Sequence, residues 1–255
     1  MFQFSYKKCF NTGVVAVGIL LAGTSCKKEL REEIFPASLT IVNGINDNTS
    51  FLTAYFGDSK PKVYGRLSYI ASGNAYDYAT DKMSQQVTLF RNNDTLQPNN
   101  PFLKTTLQLE PGGIFTHFVY GSPAKVKQKT VKENLPARSL SDSVVNLRII
   151  NLFDNRPIDV IELEPEPGTL VSNLAYEQLT DFIKIPVNAS FSNFHFEVKD
   201  HATGVTLATL SEVNIPPGSL IPNLQWLFKA RTMLVTGTWM SESDFSARAT
   251  SMGHF

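Results

Sequence analysis

The chain has 255 residues, 42% hydrophobic and 18% charged, a globular composition long enough for one large or two ordinary domains. Lysine plus arginine and aspartate plus glutamate number 23 each. Without a basic surplus there is no sequence-independent pull on phosphate, which argues against a nucleic-acid partner.

In chain order, the first element is a secretory address. Lys7 and Lys8 form a positive n-region, residues 14–22 (VVAVGILLA) form an apolar h-region, and Gly23, Thr24 and Ser25 lead into Cys26. As a helix those nine residues rise only about 14 Å, roughly half of a ~30 Å hydrocarbon core, so removal as a signal peptide suits them better than a permanent span. The segment resembles a bacterial lipoprotein signal, whose lipobox ends in a cysteine that is acylated and becomes the mature N-terminus. Ser25 and Cys26 match that pattern, while Gly23 stands where leucine is usual. The resemblance implies lipidation of Cys26, attachment to the membrane through that lipid anchor, and, with Lys27 following the cysteine, outer-membrane sorting. One acyl chain binds a membrane only marginally, and the three chains implied here hold permanently. The alternative is an ordinary signal cut near Ala22 or Ser25, which leaves Cys26 as a lone thiol.

Cys9 leaves with residues 1–25, so the folded part contains no thiol, which excludes disulfides, thiolate metal sites and a cysteine nucleophile. The same cut leaves 21 basic and 23 acidic residues, a nearly neutral mature chain. Residues 26–37 are charged and poor in apolar side chains, and they read as a tether. Their acidic run also resembles the short signals that send some such lipoproteins to the cell surface, with a solvated linker as the equal alternative.

Beyond the tether, apolar residues recur with period two: Leu39 and Ile41, then Phe51, Thr53 and Tyr55, then Val87 and Leu89, Leu107 and Leu109, and Phe194, Phe196 and Val198. Such alternation predicts half-buried strands, and the Asn, Asp, Pro and Gly clusters between them predict turns. Residues 176–179 and 241–249 suit either short helical turns or polar loop. Leu39-Thr40-Ile41-Val42-Asn43 returns as Leu147-Arg148-Ile149-Ile150-Asn151, an offset of 108. Tyr64 and Leu67 return as Tyr176 and Leu179, and Phe90, Leu107, Leu109, Pro111 and Gly112 as Phe196, Val213, Ile215, Pro217 and Gly218. The expectation is an all-β chain of two tandem immunoglobulin-like β-sandwich domains after a lipoprotein signal peptide, with a first domain at 38–124, a linker at 125–143, a second domain at 144–240 and a polar tail at 241–255.

LRIINLFDNRPIDV (147–160), Tyr64-Gly65 and the Pro-Gly turn leading into FTHFVYG (115–121) make the chain similar to a family of bacterial cell-envelope lipoproteins built from tandem immunoglobulin-like repeats, catalogued as a domain of unknown function. The resemblance spans about residues 38–240 and implies fold rather than activity. It departs after each asparagine, where the family's small-Ser-Pro-Asp run is replaced by Gly44-Ile45-Asn46-Asp47 and Leu152-Phe153-Asp154-Asn155.

Four clusters are candidate sites. Asn43 and Asn151 suit either a calcium ion or turns in which the side chain bonds its own backbone, and the carboxylates at short spacing that calcium needs are few. Asp159, Glu162, Glu164 and Glu166 include carboxylates that could pair for glycoside hydrolysis, yet alternation with Ile161 and Leu163 predicts Glu162 and Glu164 on the solvent face of an edge strand. The histidines 117, 195, 201 and 254 lack zinc spacing, and the serines lack a nucleophile elbow, so no metal, cofactor or catalytic residue is expected. Residues 220–229, an insertion in the second copy, carry Leu224, Trp226, Leu227 and Phe228. Leu224, Trp226 and Phe228 are either a protein or glycan contact or packing over a sandwich edge. The function expected is therefore a lipid-anchored, non-catalytic binding or adhesion module, with a structural accessory subunit of an outer-membrane complex and an envelope hydrolase acting on glycans as alternatives.

Overall fold

The computed structural model describes residues 35–47, 51–57, 69–91, 101–138, 141–188, 190, 193–215 and 224–254. The signal segment, Cys26, most of the tether, Tyr64, Leu67, Pro217 and Gly218 lie outside the described residues.

Within them the structure is all β. The first half contains β1 (Ala37–Ile45), β2 (Leu52–Phe56), β3 (Tyr69–Ile70), β4 (Ala75–Thr80), β5 (Ser84–Arg91), β6 (Leu103–Gln108), β7 (Ile114–Ser122) and β8 (Lys125–Lys132). The second contains β9 (Val144–Phe153), β10 (Ile158–Glu164), β11 (Gly168–Leu174), β12 (Ile183–Pro186), β13 (Asn193–Asp200), β14 (Thr206–Val213), β15 (Ala230–Ser241) and β16 (Asp244–His254). Each half is a pair of four-stranded sheets, β4-β1-β7-β8 over β3-β2-β5-β6, then β12-β9-β15-β16 over β11-β10-β13-β14. Adding eight to every label of the first half yields the second. Both copies carry the same parallel pair, β1 with β7 and β9 with β15, among otherwise antiparallel ladders. The expected immunoglobulin-like tandem is thus the observed fold class.

Leu39, Ile41, Leu89 and Val119 pack between the sheets of the first half, and Leu147, Ile149, Phe196 and Val235 between those of the second. A third cluster joins the halves: Val42, Phe118 and Tyr120 meet Ile150, Leu152 and Leu234. Successive residues of a strand point to opposite faces, and β1, β7, β9 and β15 are buried on both, so β1 is not the half-buried strand that the alternation of Leu39 and Ile41 predicts: Val42 on its other face is buried in the seam. Reciprocal polar contacts close the seam. Lys127 and Lys129 of β8 reach the turn at Tyr176-Glu177, and Arg248 of β16 donates to the Ser72 carbonyl at 2.9 Å in the corresponding turn of the first half.

Four expectations need correction. The linker at 125–143 begins with β8, which pairs with β7 from Ser122 back to Phe115; its lysines protect an exposed sheet edge and resemble linker composition for that reason. The tail at 241–255 is largely β16, paired with β15 along its length, so the second sandwich extends past residue 240. Phe90 is not the counterpart of Phe196: it stacks edge-on with Tyr55, 5.1 Å between centroids, on the face away from the first core, whereas Phe196 lies inside the second. Leu89 and Val198 hold equivalent places in the two ladders, so the offset of 106 that equates Phe90 with Phe196 is wrong by three, and an odd slip reverses the face because the strand period is two. Val213 is likewise exposed where Leu107 is buried.

Candidate functional site

The two strand-end asparagines are turn-forming residues. Asn43 Oδ1 accepts from the Ile45 N–H (3.1 Å) while Nδ2 donates to the Ile70 carbonyl (2.9 Å). Asn151 repeats this with the Phe153 N–H (3.0 Å) and the Leu174 carbonyl (2.9 Å), and adds the Arg156 carbonyl (2.7 Å). Both amides are buried and spent on backbone groups, and among the described residues no cluster of metal-ligating side chains occurs.

Trp226 of the aromatic insertion is core. Trp226 is 1% exposed and stacks on Phe194 at 4.5 Å and Phe196 at 5.9 Å, with the Arg231 guanidinium 4.7 Å above its ring. Leu224 packs partly buried against the same core. Phe228 has a left-handed backbone (φ 58°), donates its N–H to the Val144 carbonyl at 2.9 Å, and borders a pocket of about 50 Å³, room for a few waters. The three residues predicted as a ligand contact therefore do not present a common surface. A large ring fills the end of a sandwich more favourably than it sits in water.

The acidic run also departs from expectation. The inward phase of β10 is set by Ile158 and Val160, and Glu162 follows it to 4% exposure. Its Oε1 has no partner among the described residues, and burial, with the Glu166 charge adding, raises its pKa to about 7. Ladder irregularities at Val160/Ile161 and Glu162/Glu164 allow the strand to change phase. His195 lies between buried Phe194 and Phe196 on the outer face, as alternation predicts.

A second buried polar cluster went unread in the sequence. Arg148, on the face of β9 toward the first half, pairs with Glu133 at 2.6 Å and donates to Thr232 at 2.8 Å; Thr232 lies 2.6 Å from His254 Nε2. Burial, then the Arg148 charge, holds His254 down at about 4. A single charge in the apolar run LRIIN was the available signal.

The concave feature that both halves build is a cleft of about 290 Å³ at their seam. The first half contributes Gly121, Ser122, Lys125 and Lys127 from the β7–β8 hairpin; the second contributes Leu152, Asp154 and Asn155, then Tyr176, then Gly237 and Thr238. Its walls are held firmly. Arg156, next to the Asp154-Asn155 turn, is gripped by Asp200 through two bonds of 2.5 and 2.7 Å and lies 4.1 Å over the Trp239 ring, and the guanidinium holds Asp200 at about 2. Lys127 Nζ donates to the Tyr176 hydroxyl (3.1 Å) and Glu177 Oε1 (3.0 Å), and Lys129 Nζ to the Glu177 carbonyl (2.8 Å). The hydrogen bonds with Tyr176 and Glu177 raise the Lys127 pKa, and burial outweighs that lysine in raising the Tyr176 phenol. At neutral pH the first is a cation and the second a neutral hydroxyl. Gly121 and Gly237 occupy the same place in the two copies, each accepting from the residue after its parallel partner strand (Asn46 at 3.0 Å, Asp154 at 3.2 Å), with φ of 93° and 152°. A Cβ at Gly121 would sit 2.5 Å from the Lys125 carbonyl oxygen.

Two non-glycine residues at this cleft have left-handed backbone: Asn155 (φ 53°) and Glu177 (φ 63°). Glu177 is the counterpart of Gly73, since both N–H groups donate to the repeat asparagine's carbonyl at 2.7 Å. Tyr176 thus corresponds to Ser72, not Tyr64 as the sequence offset suggested. A glutamate held where its copy has glycine is strained by about 1–3 kcal/mol, and such strain concentrates at functional sites.

No family profile matches the chain, and no curated protein matches it in sequence. Among solved structures it is similar to the fimbrial anchor protein Mfa2 from Porphyromonas gingivalis, at 8% identity and a TM-score of 0.30, over 86% of this chain and 98% of that one. It is also similar to family 41 carbohydrate-binding modules from streptococcal virulence factors, at 10% identity and 0.24 over 84% and 97%. A family 26 carbohydrate-binding module from Eubacterium rectale Amy13K follows at 12% identity and 0.23, over 84% and 96%. At these scores the likenesses carry no argument about ligand or activity.

Proposed function

We propose that the protein is a lipid-anchored, outer-membrane binding or adhesion module without chemistry of its own, whose ligand seats in the cleft between the sandwich halves. The observation that carries this reading is the cleft itself: both halves supply its walls, Lys127 and Arg156 brace it, and strained Asn155 and Glu177 flank it. His117, His254 and Glu162, the histidines and the carboxylate whose neutral forms burial favours, are packed inside the fold and do not line it. This supports binding over acid–base catalysis. The signal pattern ending at Cys26 supports the anchor.

Two measurements test the reading. The mature chain should begin at Cys26 with acyl mass added, and Cys26→Ala should release the protein from membranes; a free thiol or another N-terminus rejects the anchor. Pull-down of the anchored protein from its native membrane should recover a partner that Asn155→Gly loses. Recovery unchanged by that substitution assigns binding to another surface.

A further inference from the structure

Three hydroxyls line the cleft, and the protein has already used an acceptor position on each. The Lys125 N–H donates to Ser122 Oγ at 3.2 Å, Asn46 Nδ2 to Thr238 Oγ1 at 3.2 Å, and Lys127 Nζ to the Tyr176 hydroxyl at 3.1 Å. An oxygen that accepts in this way keeps its own proton to donate. Beside these donors stand the Asp154 carboxylate and the Asn155 amide, which form no side-chain hydrogen bond among the described residues. Apolar area comes from Leu152 and the Tyr176 ring. Charge is balanced: Lys127 is paired with Glu177, and the exposed Lys125 is matched by the exposed Asp154, so the cleft favours neither a net anion nor a net cation.

Donors, acceptors and an apolar patch together match a ligand whose groups both donate and accept around a partly apolar ring. We infer that the cleft binds the end of a neutral saccharide, one or two sugar rings long. This rests on the reading of the protein as a binding module and adds the ligand's class. Its size follows from the volume, about 290 Å³, at the small end of the roughly 300–1,000 Å³ typical of ligand sites. Asp154 and Asn155 take vicinal hydroxyl protons, Ser122, Thr238 and Tyr176 donate to hydroxyl or ring oxygens, and Lys125 closes the rim. The alternative, a zwitterionic peptide end, would use Lys125 and Asp154 alone and leave the three hydroxyl donors without acceptors.

The test uses the full chain purified in a detergent without a sugar headgroup. Maltose, cellobiose, lactose and diacetylchitobiose are each titrated by saturation-transfer NMR and calorimetry, with glycylglycine as the zwitterionic probe. At least one disaccharide should bind saturably. Asn155→Gly, which keeps a backbone glycine accepts readily, and Asp154→Ala should each weaken that binding at least about tenfold without lowering the melting temperature materially. Binding of none of the four, equal binding by both variants, or preference for glycylglycine overturns the saccharide assignment. If Asn155→Gly still loses the membrane partner while no sugar binds, the cleft is a binding site of another class and only the ligand assignment falls. A sugar that binds and is lost in the variant, with membrane recovery unchanged, keeps the saccharide site and rejects it as the protein's main attachment.

Discussion

The two halves share strand order, a parallel central pair and the asparagine turn, and they differ in how each is sealed and in what each sends to the seam. In the first, residues 109–113 connect β6 to β7; in the second, residues 214–229 connect β14 to β15 and insert Trp226 between Phe194, Phe196 and Arg231. At the seam the first half offers Ser72-Gly73, an unstrained turn, where the second offers Tyr176-Glu177 held left-handed by two lysines. The lesson is that the repeat carries topology, while departures from it have two separate origins. Trp226 departs to fill volume. Tyr176 and Glu177 depart to shape a surface.

The first way to break that comparison is Trp226→Ala. It should cost about 3–5 kcal/mol, read as a lower urea midpoint, because it opens a cavity in the second core only. A loss under about 1 kcal/mol, with Trp226 quenched by iodide, would return the insertion to the surface. The next contrast is acid sensitivity. Burial holds His117 in the first core and His254 in the second half each at about 4, below the ordinary 6.5. Folding therefore favours the neutral rings: their share of stability is complete above pH 6.5 and is lost as pH falls through 4, about 3 kcal/mol each. His117→Gln and His254→Gln should each flatten the stability curve over that window, and a curve level from 6.5 to 4 in the wild type would refute both.

The asparagines test equivalence. Asn43→Ala and Asn151→Ala should destabilise by similar amounts, about 2–3 kcal/mol, since each strands buried backbone groups; a neutral outcome at either site would show that the turn does not need its amide. The smallest effect is a gain. Glu162, raised to about 7, contributes stability below its ordinary 4.5 that is lost as pH rises through 7. Glu162→Gln should therefore raise the melting point at pH 8, worth about 1–2 kcal/mol, and change little at pH 4.5. Destabilisation at pH 8 would mean that the Glu166 backbone N–H, which bonds the carboxylate, stabilises its ionised form by more than burial costs it.

What was legible in the sequence follows from periodicity. β1 and β9 were readable because Leu39 and Leu147, Ile41 and Ile149, and Asn43 and Asn151 hold equivalent places before any insertion alters the offset. The later equivalence of Phe90 with Phe196 slipped by three, and an odd slip exchanges faces, which placed Phe90 on the wrong side. β10 was ambiguous in itself, with Ile158 and Val160 in one phase and Ile161 and Leu163 in the other. The cleft was illegible because its residues come from four separated segments. Its strongest signal, Gly121 recurring as Gly237, lies at an offset of 116 rather than 108 and has meaning only once both are seen beside a parallel partner.

The parallel pairing of β1 has a mechanical consequence. β1 is gripped on both sides, by β4 along Ala37–Val42 and by β7 along Ser38–Ile45. Tension entering at Ala37 and resisted at the seam cleft runs along the axis of β1, so the two ladders are sheared rather than unzipped. Bonds loaded side by side must rupture together, whereas a peeled hairpin gives way one rung at a time. If the chain is anchored through Cys26, as proposed, β1 is the described strand that first takes the load, and it is arranged to resist that pull.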